Sequence, residues 1–167
     1  MKKIVAVIPA RQGSKGVPNK NIKLLGGYPL FLWSVAAAKQ SKLIDKIYVS
    51  TDSPEIGLLA EKHDVEWTVR PPELAMDTST DLEWVKHFIS NHEDAETIVH
   101  LRPTTPLRNF EIIGQAILLF LECKEATSLR SAHTLDENPL KMFTKDGIYF
   151  RPFGIGYEGK EKEFYNL

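Results

Sequence analysis

The sequence predicts an open, mostly parallel α/β sheet with helices on both faces. Short apolar runs alternate with helical patterns along most of the 167 residues, as they do where crossover helices join parallel strands. The length favours one domain with a sizeable core. The distinctive polar loops follow the apolar runs, and ligands bind such sheets beyond the carboxyl ends of the strands.

The first strand is read at Lys3–Pro9, on the run Ile4-Val5-Ala6-Val7-Ile8. After a basic loop, Gly26-Gly27 makes a turn, and Pro29 suits the first position of a helix reaching Gln40. That helix is apolar nearly all round and is expected to be buried. Lys46–Ser50 is the second strand. Ser53 and Pro54 then read as a cap and a first-turn proline, with Ile56, Leu59, Ala60 and His63 on one face. His63 is expected to pack or cap rather than to ligate.

The third strand is Val65–Val69. Thr80 to Glu83 fits a capping box opening a helix whose inner side is read as Leu82, Val85, Phe88 and Ile89. Thr97–Leu101 is the fourth strand. Asn109 caps the next helix, with Ile113, Ala116, Ile117, Phe120 and Leu121 toward the core. Ala126–Ser131 is expected to be a fifth strand. Lys145-Asp146-Gly147, between Lys141–Thr144 and Ile148–Phe150, signals a hairpin. We place the boundary of the α/β domain at 1–138 and a second region at 139–167.

Composition excludes several classes. The net charge is −1, against a generally basic nucleic-acid surface. Cys123 is the only cysteine, which rules out an intrachain disulfide or a multi-cysteine zinc site; at a helix end it is expected to be an ordinary structural thiol. No run approaches the roughly 18 apolar residues of a membrane span. The apolar run after Met1-Lys2-Lys3 breaks at Pro9, so it is a strand rather than a signal peptide. A cytoplasmic enzyme is the expectation.

The chemistry is concentrated in Ala10–Lys23. This segment holds four basic residues (Arg11, Lys15, Lys20 and Lys23) and no acidic one. Gly13, Gly16 and Pro18 keep it from forming a helix or strand. Clustered cations and backbone N–H groups suit a polyphosphate. Gly13 and Gly16 are too close for a P-loop, and the dinucleotide fingerprint is absent. Three further polar segments follow strands: Ser50–Asp52, Arg70–Asp81 and Arg102–Arg108. Together the four loops bring Arg11, Lys15, Lys20, Arg70, Arg102 and Arg108, which suits phosphates plus a carboxylate.

Ile8-Pro9-Ala10-Arg11-Gln12-Gly13-Ser14-Lys15-Gly16 with Lys20-Asn21 resembles the signature of the acylneuraminate cytidylyltransferases, the CMP-sialic acid synthetases. Val49-Ser50-Thr51-Asp52, Arg70–Ala75 with Asp77-Thr78, and Arg102–Arg108 match the same family in the same order, so the resemblance covers about 3–141. It implies a nucleotide-diphospho-sugar-transferase-like fold. It also implies transfer of CMP from CTP to a nonulosonic sugar acid, with release of pyrophosphate. Arg11, Lys15 and Lys20 would be catalytic. Ala10, Arg11, Gly13, Ser14, Lys15, Lys20, Asn21, Arg70 and Ser79 would bind CTP, and Arg102, Thr104, Thr105 and Lys141 the sugar. It further implies Mg²⁺, a dimerisation arm beginning at the hairpin, and a homodimer. The family continues past the point matching Leu167, including the aspartates that bind the metal, so the chain is expected to be truncated. Asp52 and Asp77 are expected in turn and cap roles, and no metal ligand is identified.

Two positions depart from the resembled pattern. Arg102 stands where glutamine is common, which leaves pseudaminate- or legionaminate-like sugars open. Asp81 stands where a nucleotide-contacting serine can occur, and its first-turn position suits a helix dipole. The alternatives are another sugar nucleotidyltransferase, or a CTP-binding chain without turnover.

Overall fold

The computed structural model describes residues 3–131 and the backbone of the strands Phe143–Asp146 and Tyr149–Pro152. The expected residue Lys141 lies outside the described residues. The chain divides into two compact units, Met1–Ser128 and Leu129–Leu167.

In the first unit the elements run β1 (Lys3–Pro9), β2 (Leu24–Leu25), β3 (Tyr28–Pro29), α1 (Leu30–Gln40), β4 (Lys46–Thr51), α2 (Pro54–Glu61), β5 (Glu66–Val69), α3 (Asp81–Asn91), β6 (Ala95–His100) and α4 (Phe110–Glu122). The main sheet has the order β5-β4-β1-β6, with every neighbouring pair parallel. The chain winds from β1 outward to β5 and then returns to β6 beside β1. The loops leaving β1 and β6 therefore diverge over one crevice, the usual ligand position in this topology.

Strand alternation divides the core. Ala6 and Ile8 of β1 pack with Phe31 and Val35 of α1, Ile56 of α2, and Ile113 and Ile117 of α4. Val5 and Val7 face the other way and pack with Tyr48, Trp84 and Phe88. Three helices thus cover one face and α3 the other, as expected. β5 seats α2 closely: a Cβ on Gly57 would lie 2.4 Å from the Trp67 ring, so position 57 admits no side chain without a shift.

Local chemistry sets most boundaries. Gly26 and Gly27 have φ of 58° and 87°, the backbone of a two-residue turn between β2 and β3. Ser53 Oγ accepts from the Ile56 N–H at 3.4 Å, with Pro54 at the first turn. Thr80 and Glu83 form the complete capping box. Asn109 Oδ1 accepts from the Glu111 N–H at 2.7 Å.

Several expectations are corrected. Pro29 belongs to β3 and precedes α1 rather than opening it. Ala126–Ser131 forms no strand; it is exposed and irregular, and β6 is the sheet edge among the described residues. The inner face of α3 is Trp84 and Phe88, while Leu82 and Ile89 are exposed. Leu121 of α4 is exposed as well. His63 lies beyond the end of α2 with an exposed side chain; its N–H donates to the Ala60 carbonyl at 2.9 Å and its carbonyl accepts from Lys39 Nζ at 2.6 Å. Cys123 does end α4, but it is exposed rather than packed.

In the second unit, β7 (Phe143–Asp146) and β8 (Tyr149–Pro152) pair antiparallel, with Asp146 opposite Tyr149. This is the expected hairpin.

Candidate functional site

The crevice at the carboxyl ends of β1 and β6 has a volume of about 240 Å³. It is lined by residues from three of the four expected strand-end loops. Arg11, Lys20 and Asn21 come from the loop after β1. Arg70, Ser79 and Asp81 come from the loop after β5 and the start of α3, and Arg102 and Thr104 from the loop after β6. The segment after β4 supplies its frame. A larger hollow of about 320 Å³ lies on the outer side of α1, lined by Tyr28, Leu32, Trp33 and His63 among others. It is mainly apolar and includes none of the strand-end cations.

The loop after β1 is anchored at both ends. The buried Ala10 donates its N–H to the Ser50 carbonyl at 2.9 Å. The buried Asn21 donates from Nδ2 to the Arg11 carbonyl at 2.8 Å. Asp52 Oδ1 accepts from the Gln12 N–H at 2.8 Å, a loop-capping role of the kind expected. Gly13 and Gly16 both have negative φ and open space around the Cβ position. Their lack of a side chain is therefore not demanded by this conformation; the left-handed residue of the loop is Asn19, with φ of 50°.

Asp77 sits in the expected turn, closed by the Ser79 N–H on the Met76 carbonyl at 3.2 Å, but its side chain does more. Its carboxylate joins Arg11 Nη2 at 2.6 Å and Lys15 Nζ at 2.8 Å. Lys15 and Arg11 hold the Asp77 carboxyl below the usual carboxylate range. Arg11 also donates from Nη1 to the Ala75 carbonyl at 2.8 Å. Among the described residues, the Lys20 ammonium has no hydrogen bond or ion pair. It is the cation of the crevice left uncommitted.

Arg70 forms the floor. It is 4% exposed, donates to Ser50 Oγ at 3.1 Å and to the Ser50 carbonyl at 2.9 Å, and lies 4.9 Å from the Trp84 ring centre. Burial pushes its guanidinium down to about 10, so it remains charged at neutral pH. Ser79 orders the next loop, accepting from the Met76 N–H and donating to the Glu73 carbonyl at 2.8 Å.

The two departures from the resembled pattern are partners. Arg102 Nη2 donates to Asp81 Oδ2, and Asp81 Oδ1 accepts from Trp84 Nε1 at 3.1 Å. Burial pushes the Asp81 carboxyl upward; the Trp84 indole, His100 and Arg102 outweigh it and leave the group below its ordinary value. The sequence singles out none of Trp84, Leu74, Met76 and Pro103 as lining residues; Asp77 faces the crevice as well, and so does Asp81, for which the sequence leaves both a first-turn and a nucleotide-contacting role open. Gly13, Ser14, Lys15 and Thr105 do not line it, and Arg108 instead clamps the Arg102 carbonyl at 3.4 Å.

His100 ends β6 with its ring edge-on to Trp84, centroids 5.0 Å apart. Burial holds its imidazole below its ordinary value, and His92 is shifted the same way for the same reason. The unfolded chain therefore takes up protons near pH ~6.5 that the folded chain refuses. Stability is complete above that value and falls as pH drops toward the folded values. Urea unfolding at pH 7.5 and at pH 5.5 is expected to show the loss, and His100→Gln to make it smaller.

The Mg²⁺ implied by the resemblance does not fit here. No group of three or more His, Cys, Asp or Glu suited to a metal occurs among the described residues. The three nearby carboxylates, Asp52, Asp77 and Asp81, are each committed to N–H groups or cations.

A family model described as cytidylyltransferase matches residues 5–165. The chain belongs to the cytidylyltransferase family. Within it, the chain is 42% identical over 118 residues to the N-acylneuraminate cytidylyltransferase of Escherichia coli O18:K1:H7, covering 71% of this chain and 28% of that protein. It is 39% identical over 121 residues to the CMP-N,N'-diacetyllegionaminic acid synthase of Legionella pneumophila, covering 69% and 52%. The chain thus spans about a quarter to a half of these curated relatives. Among solved structures, a CMP:2-keto-3-deoxy-manno-octonic acid synthetase complexed with CTP superimposes with a TM-score of 0.67 at 19% identity, covering 74% of this chain and 49% of that one. A cytidylyltransferase from Leptospira borgpetersenii gives 0.62 at 22%, covering 75% and 51%. These cytidylyltransferase structures support the fold. No helix among the described residues is long and apolar enough to cross a membrane.

Proposed function

We propose that this cytidylyltransferase-family chain transfers CMP from CTP to a nonulosonic, sialic-type sugar acid. One observation carries the reading: Arg11, Lys20, Asn21, Arg70, Arg102 and Thr104, from separate loops, line a single crevice. The anomeric hydroxyl oxygen of the sugar attacks the α-phosphorus and yields its proton to solvent, the bond from that phosphorus to the α–β bridging oxygen breaks, and pyrophosphate leaves. Negative charge grows on the phosphoryl oxygens and the leaving group. Fixed cations already in place stabilise it without reorganising at the moment of reaction.

In this reading Arg11, Lys15 and Lys20 take the phosphates, with Ala10, Gly13 and Ser14 shaping the loop. Asn21, Arg70 and Ser79 hold the nucleoside end, and Arg102, Thr104, Thr105 and Lys141 meet the sugar. The β7–β8 hairpin belongs to a dimerisation arm of a homodimer, working in the cytoplasm. The test is pyrophosphate release from CTP, UTP, ATP and GTP with a panel of nonulosonic acids. Release with CTP alone supports the reading; release with UTP or GTP and not CTP overturns it.

The commitment of Asp52, Asp77 and Asp81 to N–H groups and cations favours a second reading, in which the chain binds CTP without turning it over. Tight CTP binding with no product in excess Mg²⁺ supports it, and robust turnover removes it.

A further inference from the structure

Arg102 is held at both ends. Its carbonyl accepts from the fully buried Ser34 Oγ at 3.3 Å and from Arg108 Nη2 at 3.4 Å. Its guanidinium is held by Asp81. Asp81 in turn is braced by the Trp84 indole, and Trp84 is 3% exposed between Arg70 and the His100 ring. A bond from an exposed arginine to a surface acid is ordinarily weak. Here the acid is fixed by a core side chain, so its direction is fixed too.

A guanidinium has five N–H donors in a planar fork. Asp81 engages Nη2, which keeps a second N–H, and among the described residues Nε and Nη1 donate to nothing. The remaining Nη2 N–H and the N–H beside it, on Nε or Nη1, leave an edge suited to two parallel bonds to a planar carboxylate.

We propose that Asp81 is a positioning residue that sets Arg102 to receive the carboxylate of the acceptor acid. The proposal rests on the sugar-acid reading above and adds the group recognised and the residue that prepares its receptor. Two effects of Asp81 oppose each other. Its negative charge repels an incoming carboxylate, and its bond removes the rotamer freedom of Arg102 before the ligand arrives. Arg102 and Asp81 are 59% and 48% exposed, so the repulsion is screened by solvent. An untethered arginine, by contrast, must lose its full side-chain entropy on binding. Positioning wins. Asparagine cannot replace Asp81, because its single oxygen serves Trp84 or Arg102 but not both.

The test is calorimetric titration of N-acetylneuraminate and N,N'-diacetyllegionaminate into the CTP-loaded chain without divalent metal. Asp81→Asn and Arg102→Gln are each expected to weaken the better-binding acid about 10-fold, the scale of a hydrogen bond to a charged group. CTP affinity should stay within about 2-fold, and the double variant should be no worse than either single one. The carboxamide analogue of the acid should lose as much on the unsubstituted chain and nothing further on the variants. Tighter acid binding by Asp81→Asn would show that repulsion dominates and overturn the proposal. So would additive losses, an equal loss of CTP affinity, or no acid binding by the CTP-loaded chain. If the unsubstituted chain fails to bind CTP, the parent reading fails first, and that titration is run before the acid is added.

Discussion

Lys20→Ala is expected to cut CTP-dependent pyrophosphate release about 10²–10³-fold, the loss seen when one preorganised charge stabiliser is removed from a reacting phosphoryl or acyl group. Unfolding free energy should change by no more than about 0.5 kcal/mol, as for surface substitutions away from packed features. The contrast follows from the geometry. Lys20 lines the crevice, yet among the described residues its ammonium is bound to nothing. Its backbone is held in a short 3-10 turn by the Val17 carbonyl at 3.2 Å, which alanine preserves. Parallel measurement of release and of urea unfolding checks this. An equal loss of both would assign Lys20 to the fold.

Arg70→Ala is expected to lose both. The change removes a buried side chain from against Trp84 and leaves Ser50 Oγ without that donor. A cavity and a lost buried bond together cost about 2–5 kcal/mol. CTP affinity should fall at least 10-fold, since the floor of the crevice goes with the charge. Arg70→Met separates the parts. Its unbranched stem refills the space, so about half the stability should return while CTP affinity does not. Calorimetric titration of CTP and unfolding of both variants read the two effects. Recovery of affinity by methionine would show that Arg70 shapes the site without using its charge.

Local chemistry made much of the fold legible. Pro9 ends β1, and the Thr80–Glu83 box opens α3 and Asn109 opens α4, the two caps each by a contact within three residues. Helix phase was harder. Phe88 and Val85 of the expected inner face do pack inward, but Leu82 and Ile89 are exposed and Trp84 takes their place, because the largest apolar surface gains most from burial. In α4 nearly every position is apolar, so periodicity cannot mark Leu121 as exposed. The segment Ala126–Ser131 pairs with no strand among the described residues, and without pairing its backbone remains irregular.

The candidate site shows the same division. The loops were visible because their glycines, prolines and cations are contiguous. The bonds between loops were not. Asp77 reaches Arg11 across 66 positions and Asp81 reaches Arg102 across 21, and no local pattern signals either pairing. Their effect is considerable: the crevice carries Arg11, Lys20, Arg70 and Arg102, but Asp77 and Asp81 oppose part of that charge from within.

The crevice is not built around an open helix end. Between the basic loop and α1 lies a β-turn-β ribbon, and the first turn of α3 already holds Asp81 and Glu83. Folds that seat phosphates on a helix N-terminus rely on backbone dipoles that side-chain substitution cannot remove. Here an anion would meet point charges on long stems, screened over about 8 Å at physiological salt. At an exposed stem such as Lys20, one substitution removes a whole unit of charge and leaves the sheet untouched. Such a site is retuned piecemeal: each loop can change the anion it prefers while the strands that present it stay the same.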